Sequence, residues 1–368
     1  MRIFTIEKDG LTESDSLQGL NEQGIPQQGF VWISCTRSAL ESDLASLQAT
    51  LQALCGVELL DLHISDLLNV QLPSHYDYTS DYDILIFRRL AAAQVGAGPE
   101  FLERGQTGKR SGLPILRHID TSPVGFAVMD RLLLTVHPDD CAVREGYTAK
   151  LMQSANTKSH TAGAFIPTDS ADLMLRIVNH MVDGYLALRR DLTRQLDHWQ
   201  AKLLNPKTRF NNWSSLLDAR LALHQLDEVC EDQRASIQDW IEAVKTWPEP
   251  QTAAAKRDRE LLQVRSRDVL EHIERVVRHV QRLEQNAETA VQMHFNAQSN
   301  RTNDIMRTLT VFTAVFLPLN LLAGIFGMNF EFMPVLHLDY GFWGSIVSMV
   351  VIAAGMVAYF WRKHYLHQ

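Results

Sequence analysis

The sequence has few cysteines and none of the short motifs that carry enzyme chemistry. Its four cysteines, Cys35, Cys55, Cys141 and Cys230, are far apart and form no Cys-x-x-Cys pair. This spacing predicts reduced, mostly buried thiols rather than a metal or redox centre. Gly-x-Ser-x-Gly, His-Glu-x-x-His, Walker A and Gly-x-Gly-x-x-Gly motifs are all missing. We therefore expect no enzyme activity, no cofactor and no ATP-driven step.

A basic surface and a secretion signal are missing as well. Lys and Arg number 35 against 43 Asp and Glu, which gives a net charge of -8. That balance provides no electrostatic footprint for nucleic acid. The first ten residues, MRIFTIEKDG, contain no apolar core of a signal peptide. We therefore expect residues 1–300 to stay in the cytoplasm and to have no nucleic-acid partner.

What the chain does have is two long uncharged segments near its end, residues 308–326 and 340–361. At ~1.5 Å of rise per residue, each is long enough to cross a hydrocarbon layer of ~30 Å as a helix. Basic residues flank the pair on both outer sides, at Arg307 and Arg362, while the loop between the segments has no Lys or Arg. The positive-inside rule then predicts a multi-pass inner-membrane protein with both termini in the cytoplasm.

A polar stripe follows one face of the first segment at alternating steps of three and four residues. Its members are Asn303, Met306, Thr310, Thr313, Leu317, Asn320, Gly324 and Gly327. In a membrane, such a stripe must face protein or water. Two interpretations therefore stay open at this point, helix-to-helix packing and the lining of a pore. In a pore, Met306 and Leu317 would be hydrophobic constrictions that close by dewetting.

The end of the first segment carries the sequence Gly327-Met328-Asn329, followed by Phe-Glu-Phe-Met-Pro at 330–334. This resembles the Gly-Met-Asn signature of the CorA-type magnesium transporters, as does Thr-Asn-Asp-Ile-Met at 302–306. The resemblance is tight from about residue 267 to 366. It implies a homopentamer in the bilayer, with the stripe as the pore lining and Gly327, Met328 and Asn329 as the selectivity filter.

The chemistry of the filter follows from how magnesium binds water. Magnesium loses its waters reluctantly, and a ring of Asn329 amide oxygens could accept hydrogen bonds from them without trapping the ion. Asn329 could equally end the helix as a cap. The external loop 328–339 contains the acidic residues Glu331 and Asp339, but Met-Pro-Val-Leu at 333–336 lacks the acidic residue that family members often have there. This departure leaves zinc, cobalt and nickel open as substrates.

Two further metal sites are weighed against plainer interpretations. Asp268 resembles a family aspartate that binds a regulatory metal between subunits, but the stretch matching its partner, residues 90–93, is apolar. Asp268 could instead be a surface residue paired with Arg265 or Arg275. Two histidine pairs have spacings that could bind zinc, although neither has a third ligand nearby. These pairs are His272 with His279 and His364 with His367.

The predicted fold class is α+β with a membrane part: a cytoplasmic α/β domain, a long helical stalk and two C-terminal transmembrane helices. Strand-like runs occur at 30–35, 83–88, 125–129 and 131–136. In the stalk, apolar residues from Val269 to Ala297 repeat at steps of four and three, which indicates a coiled-coil seam. The segments are 1–165 (α/β domain), 166–250 (paired acidic helices), 251–307 (stalk), 308–327 (first span), 328–339 (external loop), 340–361 (second span) and 362–368 (basic tail).

Three functions remain open. The leading hypothesis is uptake of magnesium or cobalt, with the cation as substrate rather than cofactor, driven by the membrane potential and the gradient. The alternative is a zinc transporter, with or without proton coupling. A hypothesis of another class is a membrane-anchored metal sensor or scaffold that does not conduct.

Overall fold

The computed structural model describes residues 1–7, 10–92, 119–139, 141–156, 166–204, 213–328 and 340–363. The chain forms two compact units. The first contains Met1–Lys202 and Arg209–Glu288, and the second contains Leu203–Thr208 and Thr289–Gln368. Each unit is described separately below.

The first unit is built on a mixed β-sheet. The strands are β1 (Arg2–Glu7), β2 (Gly10–Ser14), β3 (Gly29–Thr36), β4 (His75–Tyr78), β5 (Asp83–Arg88), β6 (Ala91–Ala92), β7 (Ile119–Asp120), β8 (Pro123–Met129) and β9 (Leu132–His137). Seven of them form one sheet in the order β2-β1-β3-β9-β8-β5-β4, and β6 pairs with β7. Within the large sheet, β3 and β9 are parallel and the other pairs are antiparallel.

Helices cover both faces of this sheet, which explains why its central strands are almost continuously apolar. The shorter helices are α1 (Leu17–Gln23), α2 (Arg37–Cys55), α3 (Asp61–Leu68) and α4 (Ala142–Asn156). Neighbouring residues of β3 point to opposite faces, so Trp32 joins one core cluster and Ile33 the other. All four cysteines are free, and all but the half-buried Cys55 are buried, as the sequence predicts.

Three long helices follow, α5 (Ser170–Leu204), α6 (Trp213–Thr246) and α7 (Ala253–Phe326). In the first unit, the apolar seam of α7 is buried through Val269, Ile273, Val280 and Ala287. This seam belongs to the same core cluster as residues of α5 and α6. The predicted coiled-coil pattern is therefore filled by helices of the same chain. Acidic residues of α6 such as Glu228 and Glu242 are exposed, and their neighbours are local: Glu242 forms an ion pair with Lys245, and Glu228 lies 3.6 Å from His224.

The second unit contains the end of α7 and the helix α8 (Gly341–Arg362). The helix α7 continues through Pro318 to Phe326. Both helices contain a stretch long and apolar enough to cross a bilayer, and almost none of either stretch is buried. Large side chains such as Phe312, Phe316, Leu321 and Trp343 are exposed. Exposed apolar surface of this extent fits a lipid environment.

Candidate functional site

The polar stripe predicted from the sequence lies on the part of α7 that belongs to the second unit. All eight of its residues are exposed in the single chain. They are Asn303, Met306, Thr310, Thr313, Leu317, Asn320, Gly324 and Gly327. Nothing in the described part of this chain therefore covers the stripe.

The covered face of α7 in this unit is a different one. Val311 and Val315 are only 6% and 9% exposed, and Pro318 and Leu322 are half-buried. At about 100° per residue, these positions lie roughly opposite Thr313. Half-buried residues of α8 recur at helical spacing through Met349, Ile352 and Met356. Among the described residues of this unit, burial in α7 thus falls on its apolar face and leaves the polar stripe open.

The threonines of α7 are hydrogen-bonded to their own helix. The Oγ1 hydroxyl of Thr310 donates to the Met306 carbonyl at 2.8 Å, and that of Thr313 donates to the Leu309 carbonyl at 2.9 Å. Thr302 makes the same kind of bond to the Gln298 carbonyl at 3.0 Å. These bonds satisfy the hydroxyl hydrogens without another helix.

Thr302 is a member of the stripe that the sequence analysis did not assign to it. It is exposed and precedes Met306 by four residues, so both lie on one face of the helix. That spacing is the signal that could have identified it.

The stripe itself carries no charge. The charged residues at this end of the span, Asp304 and Arg307, lie on other faces of α7, and their side chains approach within 3.8 Å of each other. An ion following the stripe would therefore meet neutral oxygens from Asn303 to Asn320. Neutral oxygen ligands can interact with a cation's waters without holding the ion too tightly.

The last helical turn leads into the predicted filter. The amide of Gly327 donates to the Ala323 carbonyl at 2.9 Å, and that of Met328 donates to the Ile325 carbonyl at 3.3 Å. A Cβ on Gly327 would lie 3.2 Å from the Ala323 oxygen, whereas a Cβ on Gly324 would meet open space. Only the Gly327 position is therefore crowded against its own helix. The other predicted residues of the mouth, Asn329, Glu331 and Asp339, lie outside the described residues.

Asp268 lies on α7 in the first unit, where its surroundings differ from both expectations. Its nearest described side-chain partner of this kind is His272, with Nε2 at 3.8 Å from Oδ1. Arg265 pairs instead with the buried Asp172, and Arg275 donates to the Glu271 carbonyl. The predicted pairing of Asp268 with either arginine is therefore wrong. Asp268 also lines a cavity of about 230 Å³, and its regulatory role stays a prediction.

The pair His272 and His279 does not form a zinc site in the described chain. His272 Nδ1 donates to Asn179 Oδ1 at 2.9 Å. His279 Nδ1 lies 2.7 Å from the Tyr185 hydroxyl, and its Nε2 lies 3.2 Å from Thr193 Oγ1. Burial, followed by nearby arginines, lowers the pKa of His279. Both histidines are thus used to join α7 to α5.

Among the residues that the structure describes, no three or more His, Cys, Asp or Glu side chains are grouped so that they could hold a metal ion. The second pair, His364 and His367, lies outside the described residues. Among the described residues, the polar stripe is therefore the candidate site.

This chain is similar to known proteins in sequence and in fold. Residues 27–363 match the family described as CorA-like Mg2+ transporter protein. Among curated relatives, a cobalt/magnesium transport protein CorA of Thermotoga maritima is 37% identical over 100 residues, which are 27% of this chain and 28% of the relative. A putative metal ion transporter, YfjQ of Bacillus subtilis, is 46% identical over 65 residues, 18% of this chain and 20% of the relative. The matched segments thus span under a third of either relative's length.

The fold agrees with that of a solved structure. The complete CorA magnesium transporter of Methanocaldococcus jannaschii superposes with a TM-score of 0.70 at 20% identity, covering 100% of this chain and 99% of that one. This confirms the predicted fold class. The family is described as one of transporters, which agrees with the expectation that the chain is not an enzyme. Because the family match extends over most of the sequence, the chain belongs to the CorA-like Mg2+ transporter family.

Proposed function

We propose that the protein is a homo-oligomeric channel or transporter for divalent cations, with magnesium or cobalt as its substrate. The observation that carries the proposal is the neutral polar stripe of α7, which is open in the single chain and lies opposite the covered face at Val311 and Val315. Membership of the transporter family supports it. So does the printed name of the Thermotoga relative, which includes cobalt and magnesium.

Two helices per chain are too few to enclose a pore. A polar face exposed to lipid would leave hydrogen-bonding groups without partners. Several copies arranged around an axis would place each stripe toward a shared water-filled path, and the resemblance to the family implies five copies. The oligomer is thus part of the proposal, because the ion path is incomplete in one chain.

The membrane potential is a sufficient source of energy. An inside-negative potential is worth ~2.3 kcal/mol per charge per 100 mV, hence about 4.6 kcal/mol for a divalent ion. With both termini in the cytoplasm and the loop 328–339 outside, cations would move inward without nucleotide hydrolysis. In this arrangement Glu331 and Asp339 would attract cations, and Gly327, Met328 and Asn329 would form the filter.

The proposal is tested by ion flux into liposomes that contain the full-length protein. We expect magnesium or cobalt influx that depends on an inside-negative potential. Asn329→Ala should reduce this influx by about tenfold or more, because the ring of amide oxygens is lost. Asn69→Ala removes the same side chain in the first unit, where Asn69 accepts from the Gln71 amide at 2.9 Å, and should leave flux unchanged.

The same assay separates the other hypotheses. Zinc influx that requires a pH gradient and exceeds magnesium influx would favour the zinc transporter. An assembled oligomer that passes none of these ions would contradict the proposal and favour the sensor or scaffold. Equal flux for the Asn329 and Asn69 variants would contradict the role assigned to Asn329.

A further inference from the structure

The polar groups of the stripe are of two chemical kinds. The amides of Asn303 and Asn320 can both donate and accept hydrogen bonds. The hydroxyls of Thr310 and Thr313 are different, because each already donates its single hydrogen to a carbonyl of the preceding turn, at 2.8 and 2.9 Å. Each of these oxygens keeps only its lone pairs for an outside partner. Where Thr310 and Thr313 lie, in the first third of the span 308–327, the stripe therefore offers acceptors alone.

An acceptor-only wall distinguishes cations from anions that carry water. Water bound to a cation points its hydrogens outward, so the wall must accept hydrogen bonds. Water bound to an anion points its oxygens outward, so the wall must donate. Thr310 and Thr313 are both exposed on the stripe, and their oxygens match the first case only. No carboxylate is needed for this discrimination, and the stripe has none.

We propose that Thr310 and Thr313 determine cation-over-anion selectivity in the first third of the span, because the α7 backbone holds their hydroxyls as acceptors. This inference rests on the proposed function and adds to it the residues and the orientation that select the ion. Neutral side chains achieve the selection because their hydrogens are committed to the helix. Copies of the two residues around the axis would form two adjacent rings.

The chain supplies a matched control at Thr308. Its hydroxyl makes the same bond, to the Asp304 carbonyl at 2.9 Å, and it is also exposed. At about 100° per residue, however, Thr308 points away from the stripe. A change at Thr308 therefore alters the same local hydrogen bond without altering the proposed ion path.

The test uses the full-length protein in liposomes and compares Thr313→Val, the double variant Thr310→Val with Thr313→Val, Thr313→Ser and Thr308→Val. Magnesium flux and the cation-to-chloride permeability ratio, taken from the reversal potential, are both measured. We expect Thr313→Val to lower magnesium flux by about tenfold and to lower the cation-to-chloride permeability ratio. The double variant should lower both quantities further. Thr313→Ser, which keeps the hydroxyl, and Thr308→Val should stay within about twofold of the unmodified protein.

Light scattering checks that each variant assembles, and Thr313→Ala replaces Thr313→Val if the valine variant does not. The inference is overturned if the unmodified protein conducts but valine at 313 changes flux and ratio no more than valine at 308. The proposed function would still stand in that case. An unmodified protein that passes no divalent cation overturns the proposed function, and this inference with it.

Discussion

Single buried side chains in the first unit show how strongly the fold constrains protonation. His137 is fully buried, with Nε2 2.9 Å from Thr135 Oγ1 and Nδ1 3.5 Å from Cys141 Sγ. Burial is the main cause that lowers its pKa, to about 3, and the charges of Arg144, Arg89 and Arg37 add to the effect. The imidazole is therefore neutral throughout the physiological range.

This pKa predicts a pH dependence of stability. The unfolded chain binds a proton at His137 with an ordinary pKa of 6.5, whereas the folded chain does so only near 3. The contribution of the neutral His137 to the free energy of unfolding is therefore fully present above pH 6.5. It is lost as the pH falls toward 3. At pH 5 the loss is about 2 kcal/mol, from ~1.36 kcal/mol per pH unit.

The measurement is the thermal midpoint of the His137→Gln variant between pH 7.5 and pH 5. We expect the thermal midpoint of this variant to fall less steeply with decreasing pH than that of the unmodified protein. His198→Gln changes an exposed histidine and should leave the decline unchanged. Identical slopes for the unmodified protein and the His137 variant would contradict the assignment.

Two glycines with positive φ provide a second prediction at this scale. Gly29 begins β3 with φ 145°, and a Cβ there would collide with the Ile6 carbonyl oxygen. Gly56 ends α2 with φ 69°, in open space. Gly56→Ala should lower the free energy of unfolding by about 1 kcal/mol, because an alanine is strained in the left-handed backbone conformation. Gly29→Ala should lower the free energy of unfolding by more than about 3 kcal/mol, because β1 and β3 must also move apart. Denaturant unfolding measures both, and comparable losses would show that the collision is relieved cheaply.

At the scale of elements, α7 combines two surfaces that have the same sequence period and different partners. Its seam from Val269 to Ala287 is buried in the core shared with α5 and α6. Its stripe from Asn303 to Gly327 is open. Periodicity predicts which residues share a face of a helix, but it does not identify what covers that face.

The buried seam predicts a large cost for truncation. Ile273 is fully buried, so Ile273→Ala should destabilise the first unit by about 2–5 kcal/mol through lost contacts and a cavity. Arg278→Ala, on the exposed side of α7, removes only a surface pair with Glu274 at 3.4 Å and should change stability by less than about 0.5 kcal/mol. Thermal unfolding in detergent measures both. If Arg278→Ala proved as costly as Ile273→Ala, this face of α7 would have to be covered in the assembled protein.

At the scale of the whole molecule, the described part of the single chain leaves the polar stripe and most of the apolar surface of both C-terminal helices uncovered. A bilayer can cover the apolar surface, but not the stripe. In the proposed function, further copies of the chain cover the stripe.

Cysteine crosslinking tests this arrangement. In a background in which the four native cysteines are replaced, Thr313→Cys should be joined between copies by a bifunctional thiol reagent and modified by water-soluble reagents. Val315→Cys, on the covered face, should undergo neither reaction. A monomeric particle, or modification of position 313 only by lipid-soluble reagents, would be incompatible with a shared ion path.

Much of the architecture could be predicted before any coordinates were known. Strands at 30–35 and 83–88, the long α7 and the two apolar helices follow from local periodicity, which depends only on neighbours in the chain. The partners of Arg265, His272 and His279 could not be predicted in this way. Asp172, Asn179 and Tyr185 come from α5, about 90 residues earlier in the sequence. Only packing brings such distant residues together.

The sequence by itself determined that this protein has two apolar helices long enough to cross a membrane, a neutral polar stripe and a Gly-Met-Asn motif, because helical spacing and residue chemistry are local properties. The tertiary structure decided which surfaces are buried within one chain. It buried the seam of α7 against α5 and α6, bound His272 and His279 to side chains of α5 and left the stripe exposed. Burial depends on what lies opposite in space, and that is settled only when the chain has folded.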